Sequence, residues 1–500
     1  MKSGIIVALC LSSFAHPFRL PTVVSYTKST YGVRPLFDNA PTSVGALLSG
    51  GEASCELATE GAVRCTDTQD GESNDSPPPS VWTVFGEIAA KTGASNLGQG
   101  FPDWSPPAFL LDALRLTADT SFHQYTRPAG HPPLIELLAK RYSAHLNRPV
   151  DPYNELSITV GASQALFLAL STLLKPSDEV VMFEPFFDLY LKQIKLCQGA
   201  KARFVALGGA KATAEDPWAL DVAALEASIT PKTRVLILNS PHNPTGKVFT
   251  RAEFEAVADI VRRHPQLVVL SDEVYKFSVY DALEDGDPTS RGHYHFARLP
   301  GMFDRTITLS SCGKTFSATG WQVGWMVGPA HLVRPVQELL PCVQFCASTP
   351  VQHALYTALK SAELPFEGSA SYYEWLRAQF ASKRALLEEG LRAAGMTPLP
   401  SRGGFFLMAR LPAVDALGPM DAGGAGGAGG AGDLEPYDWR YCRMLASQYG
   451  VIGIPASPFF SSSASGALQG KGPMARFAFC KKDETLREAT RRLKNPRPWP

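Results

Sequence analysis

From Val81 onward the chain alternates between two periodicities. Short β-branched and apolar runs at Leu156–Val160, Glu179–Phe183, Ala202–Leu207, Thr233–Leu238, Leu267–Leu270 and Arg305–Leu309 read as strands. Stretches of helical period lie among them: Val81–Ala89, a run closing near Leu146, Ala165–Leu174, Leu220–Ile229 and Arg251–His264. Strands alternating with helices predict an α/β fold, a mostly parallel sheet covered by helices on both faces. Past about Gln352 the period stays helical to Ala394. A smaller α/β segment follows, with strands at Gly403–Met408 and Met474–Phe479.

In such sheets a ligand sits outside the carboxyl ends of the strands. Polar clusters fall there: Glu184–Tyr190 after one strand, Asn239–Gly246 after the next, then Ser271–Tyr275, and Ser310–Trp325 after Leu309. Gly161-Ala162-Ser163-Gln164 stands between a strand and a helix. It is either a plain turn or a helix N-terminus offering free N–H groups to an anion, typically phosphate.

The ends and insertions read differently. Lys2, the apolar run Gly4–Leu11 and Ser12–Phe18 have the plan of a signal peptide, and the Ser- and Thr-rich stretch to Gly51 resembles a transit peptide. Either 1–50 is a targeting leader, which points to a plastid or mitochondrion, or it is a disordered start with no targeting role and a cytoplasmic protein. Residues 51–80 turn acidic and read as a disordered linker. The divisions expected after it are 81–118 as the N-terminal part of a small domain, 119–370 as a large domain, and 371–500 as the rest of the small one. An insertion at 278–298 holds His293-Tyr294-His295, which suggests either a metal or, better, a solvated loop. Another at 417–434 is a Gly/Ala low-complexity loop.

Composition narrows the classes. Lys and Arg number 47, as do Asp and Glu, so no net field draws nucleic acid or an anionic membrane. No apolar run is long enough to span a bilayer. Nine scattered cysteines without a Cys-x-x-Cys pair read as reduced thiols, not a disulfide frame or zinc site, and no metal is expected.

Within Ser310–Trp325, Lys314 has only small, hydroxylated and apolar neighbours. Such surroundings disfavour the charged amine and make it a nucleophile toward carbonyls, or it is an ordinary surface lysine. Asp272 and Arg476 complete a set of one amine, one carboxylate and one guanidinium near strand ends. An unpaired guanidinium on the apolar strand around Arg476 would be costly, so a ligand carboxylate or a protein acid must meet it.

Eight stretches together resemble a pyridoxal-phosphate aminotransferase of fold type I, and more narrowly the kynurenine–oxoglutarate aminotransferases, also called cysteine-S-conjugate β-lyases. They are NLGQGFPDW (96–104), HQYTRPAGHPPL (123–134), FEPFFDLY (183–190), NSPHNPTGKVF (239–249), SDEVYKF (271–277), SSCGKTFSATGWQVGW (310–325), GGFFLMA (403–409) and ARFAFCK (475–481). The resemblance implies a large domain with a mostly parallel seven-stranded sheet, a smaller α/β domain built from both chain ends, pyridoxal 5'-phosphate as cofactor and a homodimer. It implies Lys314 as the Schiff-base lysine and proton shuttle, Asp272 on the pyridinium nitrogen, Tyr275 and Asn243 on the phenolic oxygen, and Phe186 over the ring. The phosphate would be held by Ala162, Ser163, Ser311 and the partner's Tyr125, and the substrate carboxylate by Arg476, Gly100 and Asn243.

The activity implied is transfer of an amino group from kynurenine, glutamine, methionine or phenylalanine to a 2-oxo acid, with β-elimination from cysteine S-conjugates as a side reaction. An aspartate- or prephenate-type transaminase, a lyase, and an inactive cofactor-binding homologue are the other readings. Two departures stand out. Gln322 occupies a place where relatives often carry a base, which predicts weaker cofactor retention. Ala129-Gly130-His131 replaces an aromatic-Gly-Tyr, which bears on substrate choice.

Overall fold

The computed structural model describes residues 80–281, 292–412, 435–461 and 472–496, with the backbone of two short strands near the N-terminus. The expected leader, most of the linker and the 417–434 loop lie outside the described residues. Contacts divide the chain into 1–77 and 78–500. In the first unit the described backbone is an antiparallel pair, Cys55–Leu57 with Val63–Cys65, inside the stretch expected as linker.

In the second unit seven strands form one sheet. In chain order they are β1 Leu156–Val160, β2 Glu179–Glu184, β3 Lys201–Ala206, β4 Thr233–Asn239, β5 Val268–Asp272, β6 Thr306–Ser311 and β7 Val323–Val327. The spatial order is β1-β7-β6-β5-β4-β2-β3. All pairings are parallel except those of β7, which runs antiparallel to β1 and β6. Every residue of β5, β6 and β7 is buried. Two-sided burial is why these strands read as continuous apolar runs instead of alternating ones.

Apolar layers cover both faces. One joins Leu166, Leu170 and Ile194 to Val235 and Ile237; the other joins Phe254, Val257 and Val261 to Leu236 and Leu238. Successive residues of β4 thus feed opposite cores, as the pleat requires. Helix Arg251–Arg263 starts at a capping box, Thr250 with Glu253, which ends the preceding loop sharply. Helix Gly161–Leu173 begins directly at the end of β1, so the small-residue turn is itself the first helical turn.

A four-stranded sheet, ordered Thr397–Pro398, Phe406–Arg410, Met474–Ala478, Ile454–Pro455, lies in the C-terminal part. Ser95–Asn96 pairs with Val451–Ile452, and Ala478 N–H donates to the Leu97 carbonyl at 2.6 Å, so residues before the large sheet join those after it. The cysteines whose side chains are described are all free. Among the described residues no helix is long and apolar enough to cross a membrane.

The 278–298 insertion departs from expectation. His293 and His295 are fully buried and Phe296 and Ala297 are core residues, not parts of a solvated loop. Residues 282–291 lie outside the described set.

Candidate active site

The carboxyl ends of β4, β5 and β6, the start of helix Gly161–Leu173 and the loop 98–101 converge on a cavity of about 550 Å³. Lys314, Asp272, Asn243, Tyr275, Ser311, Ala162, Ser163, Gly100 and Arg476 all line it, although up to 376 residues of sequence separate Gly100 from Arg476. Most of them follow or end neighbouring strands of the large sheet, while Arg476 enters from the four-stranded sheet and Gly100 from the loop after Ser95–Asn96.

Asp272 ends β5 and is buried. Burial pushes its carboxyl above the usual carboxylate range, and a hydrogen bond from Tyr190 opposes that rise. Tyr190 Oη donates to Asp272 Oδ2 at 2.5 Å, and Val274 N–H donates to Oδ1 at 3.2 Å. Asn239 closes the same corner. Its Nδ2 donates to the Asp272 carbonyl at 2.9 Å and its Oδ1 accepts from Asn243 N–H at 2.7 Å, which sets the Asn243 backbone.

Lys314 follows β6 in the short helix Cys312–Thr315. Its Nζ donates to the Gly100 carbonyl at 3.2 Å, with the Phe405 ring 5.6 Å away. Loss of solvent lowers its pKa below the ordinary lysine value. The amine is therefore closer to its neutral, nucleophilic form than a surface lysine.

Arg476 lies at the far wall. Its guanidinium donates to the Gly98 carbonyl at 2.8 Å and to Asn243 Oδ1 at 3.2 Å. The rings of Phe406, Trp82 and Phe459 surround it at 4.1, 4.8 and 4.9 Å. Among the described residues no carboxylate forms an ion pair with it, and Nε has no partner. Burial lowers its pKa to about 10, so it keeps its charge. A buried, charged guanidinium with a free N–H at a cavity wall is a seat for an incoming carboxylate.

The anion cradle is set by two close backbones. A Cβ on Gly324 would stand 2.3 Å from the Gly161 carbonyl carbon, and one on Gly161 2.6 Å from Gln322 Oε1. These contacts let β7 press against the helix start, where Gly161 N–H donates to the Gln322 carbonyl at 2.8 Å. Ala162 and Ser163 line the cavity in the first turn, where backbone N–H groups have no intrahelical acceptor and the helix carries its positive end. Gln322 has a left-handed backbone, is exposed, and donates through Nε2 to the Thr319 carbonyl at 2.6 Å.

One expected residue is elsewhere, and another is expected from the partner subunit. Phe186 does not line the cavity. It packs into the core against Phe204, ring centroids 5.4 Å apart, because the strand end turns its side chain under the sheet. Its neighbour Phe187 lines the cavity instead. Tyr125 is exposed in its own chain, 4.7 Å from the ring of Phe345. Unforeseen lining residues include Tyr190, Asn239, Phe187 and Trp82. Tyr190 follows Phe187 by one helical turn, a spacing that places both on one face of a helix starting at a strand end.

The donor set fits pyridoxal phosphate: a carbonyl-reactive amine, a buried carboxylate, a helix N-terminus for a phosphate and an unpaired guanidinium for a substrate carboxylate.

Comparison with known proteins agrees with that geometry. The family model for aminotransferase class I and II matches residues 93–493. The kynurenine–oxoglutarate transaminase of Dictyostelium discoideum is 38% identical over 82% of this chain and 92% of its own length. The rat kynurenine–oxoglutarate transaminase 1 is 36% identical over 83% of this chain and 95% of its own. Among solved structures, Escherichia coli YbdL, for which a methionine aminotransferase function is identified, superposes with a TM-score of 0.71 at 28% identity, covering 85% of this chain and 98% of that one.

Proposed function

The chain belongs to the class I and II aminotransferases, and we propose that it is a pyridoxal-phosphate transaminase taking the amino group of kynurenine, phenylalanine, methionine or glutamine to a 2-oxo acid. The observation that carries this reading is Arg476, charged, buried among three rings and short of one hydrogen-bond partner, in the same cavity as Lys314 and Asp272.

When bound, the cofactor supplies the carbonyl that meets the amine and the electron sink that makes the substrate Cα proton removable. Asp272 would hold the proton of the ring nitrogen, Tyr275 and Asn243 the phenolic oxygen, and Phe187 the ring face. The N–H groups of Ala162 and Ser163, with the Ser311 hydroxyl, would hold the phosphate. Arg476 fixes the substrate by its α-carboxylate, which is common to amino acid and oxo acid, so one clamp serves both half-reactions. Lys314, with its pKa lowered, is suited to accept the Cα proton and return it.

The side-chain preference rests on the lining. Trp82, Phe101, Phe187 and Phe406 give flat apolar walls. An aspartate-type substrate needs a second cation. Beyond Lys314 and Arg476 the described lining offers Lys192, which is paired with Asp188 at 2.7 Å. A homodimer is part of this reading, supported by the exposed Tyr125–Phe345 pair, with Tyr125 completing the partner's phosphate site. So is an organellar address carried by residues 1–50.

Half-transamination followed spectrally with kynurenine, phenylalanine, methionine, glutamine and aspartate in turn tests the proposal. Kynurenine or phenylalanine should react fastest and Lys314→Ala should abolish the reaction. Aspartate outpacing all others would overturn the substrate class, and an unchanged Lys314→Ala would overturn the chemistry.

A further inference from the structure

A second cluster of chemistry-bearing groups lies outside the cavity, on the inner side of the same strand end. Glu273 follows Asp272 directly, and its carboxylate meets two histidines from the 292–298 loop, all three side chains fully buried. Glu273 Oε2 is 3.1 Å from His293 Nε2 and 2.5 Å from His295 Nδ1. One ligating atom from each of the three falls within 4.8 Å of the others. His293 Nε2, although 3.1 Å from Glu273 Oε2, makes no hydrogen bond among the described residues. A fully buried imidazole without a partner is costly unless something else meets it.

We propose that Glu273, His293 and His295 form a structural site for a zinc-class divalent cation, distinct from the cofactor cavity.

The set matches such a cation in ligand type: two imidazoles and one carboxylate, the nitrogen- and oxygen-donor combination zinc accepts, with a water as the fourth ligand. With bonds near 2.0–2.1 Å, tetrahedral ligands stand about 3.3–3.4 Å apart. The 3.1 Å pair is already close to that spacing; the 2.5 Å pair has to open by about 0.8 Å, and the remaining separation, within 4.8 Å, has to close, both by side-chain rotation.

Outer partners are in place as well. Ser271 Oγ donates to Glu273 Oε1 at 2.9 Å, which leaves Oε2 for the ion. His295 Nε2 is 3.1 Å from His145 Nδ1, so with Nδ1 on the ion its remaining N–H has an acceptor. Outer bonds of this kind orient metal-bound histidines and carboxylates.

The opposing charge is Lys276. Its Nζ donates to Tyr142 Oη at 3.1 Å and lies 4.2 Å from that ring. Arg141, the next cation, is engaged by Glu363 at 3.0 Å.

The consequence is mechanical. An ion here would tie the segment from Asp272 at the end of β5 to Tyr275 to residues 293–295 and, through His145, to helix Pro132–Leu146.

The test uses untagged, cofactor-loaded full chain and its His293→Asn variant, stripped with a chelator and titrated with zinc against a chromophoric competitor, then with cobalt. Zinc carried by the cofactor phosphate is common to both proteins and cancels. Wild type should take about one more zinc per chain than the variant and give the intense visible bands of four-coordinate cobalt. Equal zinc uptake by the two, or a six-coordinate cobalt spectrum in wild type, overturns the site. If the variant does not fold, the wild-type cobalt spectrum decides alone.

Discussion

Tyr190 donates its phenolic hydrogen to Asp272 Oδ2 across 2.5 Å, with both groups buried at the end of β5. Burial raises the pKa of the carboxyl and this bond lowers it, so the tyrosine helps keep Asp272 ionised for a cationic ring nitrogen.

Tyr190→Phe removes the bond and keeps the ring. A hydrogen bond to a charged group contributes about 1.5–3 kcal/mol, so kcat/KM should fall roughly 10- to 100-fold. The cofactor's visible absorbance should also titrate differently, because Asp272 loses its counterweight. Steady-state kinetics beside a pH titration of that band checks both. An unchanged band and rate would make the contact merely structural.

Gln322 is the departure with a measurable cost. It lines the cavity beside the helix start, exposed, with its amide on the Thr319 carbonyl. Gln322→Lys places a cation there without new backbone strain, since the left-handed conformation is already held by a side-chain-bearing residue. An exposed ion pair is worth about 0.2–1 kcal/mol, so phosphate-bearing cofactor should bind roughly up to fivefold tighter. The gain should shrink as salt is raised. Equal dissociation constants at low salt would remove Gln322 from the phosphate site.

Much of this architecture is legible in the chain because two-sided burial leaves uninterrupted apolar runs, and polar residues after Leu238, Leu270 and Leu309 then mark strand ends. Lys314, Asp272, Asn243 and Tyr275 fall in one cavity for that reason, and Arg476 reaches it from the four-stranded sheet. Choices between adjacent residues are not legible in this way. Phe186 and Phe187 are identical in chemistry, and only the direction of the chain after β2 sends one to the core and the other to the cavity. His293 and His295 sit amid polar loop composition, so their burial depends on Glu273, twenty residues earlier, which no local period reveals. The need for Gly324 comes likewise from a partner strand's neighbour, Gly161, far off in sequence.

His242 couples stability to pH. It is fully enclosed, with Nδ1 2.8 Å from Thr245 Oγ1, and burial followed by the Lys247 charge lowers its pKa to about 3. In the unfolded chain a histidine titrates near 6.5, so as pH falls the unfolded state takes up the proton first. Between about 6.5 and about 3 the native state stays unprotonated while the unfolded state is charged, and stability drops as pH falls through that window. At most about 1.4 kcal/mol is lost per pH unit for one such group, hence about 2 kcal/mol between pH 7 and pH 5. Other buried histidines, His295 and His145 among them, act in the same direction, so the wild-type loss alone does not isolate His242. The Lys276 window lies above pH 7 and does not intrude. Urea unfolding at pH 7 and pH 5 for wild type and His242→Asn separates the contributions. The variant's loss should be smaller by about 2 kcal/mol whatever its absolute stability. Equal losses in the two proteins would show that His242 already carries its proton in the native state, against the neutral ring its burial and the adjacent Lys247 demand.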